Sequence, residues 1–187
     1  MDDLVRPFSF LAVQHQSRLP ALVNWFLPAL ATAVALGLLA LIGGTVNVYD
    51  TDGLLDRALA FTQTLTGFYI AALAAVSSFN SPHLDKVMPA PTPEMWIKHN
   101  GALQRVQATR RRFLTAMFAY LTALSFLFTL TAIAVLVIAP AMRLSWPLAV
   151  PYLHWLGLAA ILFTLWQLTC ITFWGLFYLG ERMLTPD

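Results

Sequence analysis

Charge is scarce in this chain, and its placement says more than its amount. Asp, Glu, Lys and Arg together make up 11% of the 187 residues, against about a quarter in soluble domains, while 59% are hydrophobic. Water is therefore not expected to be the main solvent of the chain. Four stretches hold no Asp, Glu, Lys or Arg at all: Leu19 to Tyr49, Ala58 to Leu84, Phe113 to Met142 and Leu144 to Gly180. Inside the spans read from them the only histidine is His154, at an outer edge. Pumps, proton-coupled carriers and intramembrane proteases keep ionisable groups at depth because their chemistry needs them, so this absence argues against all three.

Cysteine is nearly absent too. Cys170 stands alone in the fourth stretch, which excludes an intrachain disulfide and a cysteine-built metal site, and it reads as a small buried hydrophobe. There is no glycine-rich phosphate loop and no serine or cysteine nucleophile with a base at a known spacing. Asp50, Asp52 and Asp56 lack the glutamate that a calcium loop requires and read as a solvated turn. Asp2 and Asp3 spoil a basic leader, so the N-terminus is expected to be retained. The chain is read as non-enzymatic, without catalytic residues, cofactor or metal.

What is present is four apolar runs. About 20 helical residues cross a 30 Å hydrocarbon core, so each run crosses once. The expected fold is an all-α integral membrane protein: one domain over 1–187, with four transmembrane helices at about 21–43, 58–79, 113–139 and 152–180, arranged in two hairpins. Gly43-Gly44 ends the first span and Pro140 the third. Trp25, Tyr49, Trp146, Tyr152, Trp155 and Tyr178 fall where interfacial aromatics belong. Gly67, Ala71 and Ala75 lie four residues apart in the second span. Such small faces allow close helix packing in lipid, so this helix is expected to be the most buried and to serve packing or oligomerisation. A rival reading has Gln63, Thr66 and Tyr69 lining a polar pathway. Gln167, near mid-depth, should hydrogen-bond inside the bundle.

Between the second and third spans lies the main polar segment, 81–112, a cytoplasmic loop. Arg6, Arg18, Lys86, Lys98, Arg105, Arg110, Arg111, Arg112 and Arg182 fall on one side of the topology, and only Arg57 and Arg143 on the other. That asymmetry predicts both termini in the cytoplasm of a multi-pass protein of the bacterial inner membrane. Prolines 82, 89, 91 and 93 favour an extended path. Thr92-Pro93-Glu94 then has the layout of a helix start, predicting a cytoplasmic helical extension of about 20 residues that runs into the third span. On it Trp96, His99, Leu103 and Val106 come close together and, with Arg105, form a candidate surface for a soluble partner. Arg110, Arg111 and Arg112 read as a membrane-interface anchor on anionic headgroups, with no direct nucleic-acid binding expected. His83, Asp85 and His99 have no metal-site spacing. The N-terminal LVRPFSFLAV reads as an interfacial segment.

The segments LTGFYIAALAAVSSFNSP, leaving the second span, and RRRFLTAMFAYLTALSFL, entering the third, sit in a layout of four spans, short outer turns and one basic inner loop. As a layout over the whole chain this resembles the membrane subunit of the Kiwa anti-phage defence systems. No functional residue is carried over from it. The resemblance implies an inner-membrane homo-oligomer, a tetramer among the sizes open, that detects infection at the envelope and works with a soluble DNA-binding effector. The expected function is a sensor or scaffold. The alternatives are a small oligomeric channel lined by Thr62, Thr66 and Tyr69, and a lipid-handling enzyme using His83, Asp85 and His99.

Overall fold

The computed structural model describes residues 6–12, 19–42, 47–50, 52–88, 92–99, 102–145, 148 and 150–179. Expectations that rest on Arg18, Gly43-Gly44, Pro89, Pro91, Gly101, Trp146 and Arg182 lie outside these residues. Four long helices dominate: α1 (Leu27–Leu41), α2 (Leu54–Ser78), α3 (Arg110–Ser145) and α4 (Val150–Phe177). With the π turn Leu22–Phe26 ahead of α1, all four are long and apolar enough to cross a membrane. The third does not close at Pro140 as expected but continues to Ser145. Proline removes one N–H and crowds one carbonyl, and so close to the helix end few bonds are left to lose. At 36 residues α3 is about 54 Å long.

α3 packs along α2 and against α4, while α1 lies on α4. Among the described residues the backbones of α1 and α2 do not approach one another. The order across the bundle is thus α1, α4, α3, α2, with α3 in the place expected of α2. Leu55, Ala58, Thr62, Tyr69 and Val76 form the buried face of α2, at the spacing of one helix stripe. Gly67 and Ala71 are exposed on the opposite side and Ala75 is half-buried. A Cβ placed on Gly67 would meet nothing within 4 Å. The stripe from Leu55 to Val76 fills the interior, and Gly67 and Ala71 are left outside.

Two apolar clusters fill the bundle. At one end Phe113, Leu114, Met117, Tyr120 and Leu121 of α3 meet Tyr69 and Val76 of α2 and Leu168 and Ile171 of α4. The 3-10 helix Arg6–Ala12 joins them through Phe10, which stacks on Tyr120 at 5.5 Å and also meets Phe113 and Trp174. This N-terminal stretch is therefore a packed element rather than a surface strip. At the other end Val48, Leu55, Ala58, Phe128, Ala132, Leu158 and Ile161 form the second cluster. There a Cβ on Gly157 would collide with the Tyr49 hydroxyl, which donates to the His154 carbonyl at 3.3 Å.

One proline sets the seam between α1 and α4. Pro28 has no N–H, so the carbonyl of Asn24, four residues back, loses its α-helical donor. Gln167 of α4 replaces it: Nε2 donates to that carbonyl at 3.1 Å and to Asn24 Oδ1 at 3.0 Å, with both residues buried. Gln167→Leu is expected to cost about 1–3 kcal/mol by leaving the carbonyl unmatched, read as a lowered Tm in mild detergent. Adding Pro28→Ala should recover part of the loss, because residue 28 then has an N–H to offer. Equal losses with and without Pro28→Ala would refute this account.

Candidate functional site

Of the helix expected over 93–112, only Arg110 to Arg112 are helical, as the start of α3. β1 (Glu94–His99) and β2 (Ala102–Gln107) pair antiparallel instead, in a register that sets Glu94 opposite Gln107 and His99 opposite Ala102. That register leaves two residues to connect the strands, and they are Asn100 and Gly101, the dipeptide that favours a tight hairpin most strongly. Glycine also costs a helix interior about 1 kcal/mol. Thr92 caps nothing: its hydroxyl donates to the Met88 carbonyl at 3.1 Å.

The hairpin is tied down at its base. Met88 N–H donates to Ala108 O at 3.1 Å, Ala108 N–H to Pro93 O at 2.9 Å, and Val87 bridges Thr109. Arg110 N–H, the first of α3, donates to Lys86 O at 3.0 Å. Met95 packs against the core cluster, while Trp96 on the neighbouring position is 46% exposed. Arg105, its register partner, holds its guanidinium 4.7 Å from the centre of the Trp96 ring and also lies 3.4 Å from a Glu94 oxygen. Glu94, Trp96 and Arg105 thus make one preassembled, water-exposed patch.

The structure brings Trp96 and Arg105 together but dissolves the helical face that grouped them with His99 and Leu103. The ladder places Leu103 opposite Lys98 and His99 opposite Ala102; the side chains of Lys98, His99 and Leu103 lie outside the described residues. Glu94 was missed as a site residue, and the Asn-Gly signal would have found it. The three arginines read as one anchor have three different settings. Arg110 is buried and Arg112 exposed. Arg111 Nε and Nη2 grip both carboxylate oxygens of Asp85 at 2.7 and 3.2 Å, and its Nη1 donates to the Val76 and Ser77 carbonyls at 3.0 and 3.4 Å.

The remaining candidates are drawn into the scaffold. Thr62 and Tyr69 are fully enclosed within one chain, so neither is placed to line a pore between copies. Thr62 donates to the Ala58 carbonyl, Thr66 to Ser125 Oγ at 2.9 Å, and Tyr69 shares a hydrogen bond with Thr172. Among the described residues no group of three or more His, Cys, Asp or Glu side chains is placed to hold a metal. Comparison with protein-family models, curated proteins and solved structures gave no match.

The hydrogen bonds from Arg111, more than its charge and against partial desolvation, hold the Asp85 carboxyl below its ordinary value of 3.8. A depressed folded value means that the contribution of the pair is present above the ordinary value and lost as pH falls through the folded one. The Tm advantage of the native chain over Asp85→Asn should therefore be constant from neutral pH down to about 5 and vanish in stronger acid. A difference that does not change with pH would show that the ion pair is not its origin.

Proposed function

We propose that this chain is a non-enzymatic, multi-pass subunit of the bacterial inner membrane, a sensor or scaffold that engages a soluble cytoplasmic protein through the hairpin patch. The observation carrying this reading is Trp96 held under Arg105 on a hairpin hydrogen-bonded into the start of α3. Tryptophan and arginine are the side chains that most often dominate protein interfaces, and rigid presentation lowers the entropic cost of docking. Support for lipid as solvent comes from the outward faces of all four helices, where Phe26, Leu38, Ile70, Phe126, Val137 and Phe173 are each more than half exposed. The cation asymmetry of the sequence supports an orientation with the hairpin and both termini inside the cell.

Self-association belongs to the same reading. Gln63 is exposed on α2 beside the outward Gly67 and Ala71, and its amide has no hydrogen-bond partner among the described residues. In hydrocarbon an amide is best satisfied by another helix, and a second Gln63 offers both donor and acceptor. The four-span layout similar to the Kiwa membrane subunit supplies the setting, defence against phage with a soluble effector.

Trp96→Ala with Arg105→Glu should abolish co-elution of a soluble protein with the tagged chain in mild detergent, without lowering the amount of chain in the membrane. Retention of the same partner by the double variant would end this assignment. Gln63→Leu with Gly67→Leu is expected to shift the detergent-solubilised particle toward one copy in light scattering, and an unchanged mass would remove α2 as the contact.

A further inference from the structure

Two connected clefts run between α3 and α4 and share Tyr49, Thr131, Val135 and Gly157 in their walls; their volumes are about 240 and 480 Å³. They extend along α4 from Val150 to Thr164, a length of about 21 Å. We propose that this groove is a binding site for one acyl chain of a membrane phospholipid, lying parallel to the helices with its polar end toward His154. The proposal rests on the reading that the helices span a membrane, which makes hydrocarbon the medium at the groove's open side.

The chemistry of the walls selects the occupant. The hydroxyls of Thr131 and Thr164 are already committed to the carbonyls of Leu127 and Ala160 at 2.8 and 2.9 Å, and that of Tyr49 to His154 O. A buried water needs two to four polar partners, and away from His154 these walls offer few. The length and volumes of the clefts suit an acyl chain, which is one methylene wide. The end of the groove near Val150 lies beside the exposed Tyr152 and Trp155, the residue types that sit at headgroup depth. A lipid whose tail fills the groove thus has its glycerol and phosphate at the level of His154.

Carbonate washing of membranes comes first, since release of the protein would remove the spanning reading and this proposal with it. From an integral protein, native mass spectrometry in mild detergent should show one phospholipid-mass adduct per chain. Val135→Trp or Ala139→Trp, which fill the groove, should reduce that adduct at least tenfold, while Ala33→Trp on an exposed face of α1 leaves it unchanged. In vesicles containing a phosphatidylethanolamine with a diazirine on its acyl chain, the label should concentrate on 124–135 and 157–164, the stretches that line the groove beyond His154. An adduct that survives both tryptophan variants, no adduct, or label spread equally over α1 would overturn the proposal. So would Ala139→Cys cross-linking two copies in place of lipid labelling, which would show that a second chain covers the groove.

Discussion

The guanidinium of Arg111 joins the helical bundle to everything built on its hairpin side. The last carbonyls of a helix have no internal donors and sit at the negative end of its dipole. At the end of α2 Arg111 supplies both a donor, to Val76 and Ser77, and a cation. The same group grips the Asp85 carboxylate in two places, a charge-assisted, planar fit that lysine does not offer. Because Arg111 is the second residue of α3, one side chain fixes the end of α2, the one-turn helix Pro82–Asp85 and the start of α3 relative to one another. The hairpin, hydrogen-bonded to both sides of that junction, inherits its position.

Among the described residues, polar links join three pairs of long helices, and none is seen between α3 and α4. Asn24 and Gln167 join the turn ahead of α1 to α4, Tyr69 and Thr172 join α2 to α4, and Thr66 and Ser125 join α2 to α3. Where the medium is as apolar as the side chains, burial alone does not choose a register, and directional bonds do. The seam between α3 and α4, where the described residues show no such bond, is the one that opens into a groove.

The four long helices were legible because runs without charge are long and unambiguous, and their ends fall within six residues of the sequence reading. The hairpin was not, because Thr92-Pro93-Glu94 imitates a helix start and the spacing of Trp96, His99 and Leu103 suits a helical face. What decided against the helix was the Asn100-Gly101 pair and the chance for Met95 to reach the core while Trp96 stays in water. The arginine triplet was misread as a unit. Consecutive helical residues project about 100° apart, so Arg110, Arg111 and Arg112 meet interior, carboxylate and exterior in turn. The face of Gly67 and Ala71 was found, but pattern alone does not say whether small residues pack inward or outward.

The unbroken course of α3 has a mechanical consequence. The helix that borders the groove at one end carries the base of the hairpin at the other, with no joint between them to absorb a movement. A tilt of 10° about the far end displaces the near end by about 9 Å over the helix length. A modest lean at one end of the helix thus becomes, at the other, a stroke as wide as a helix.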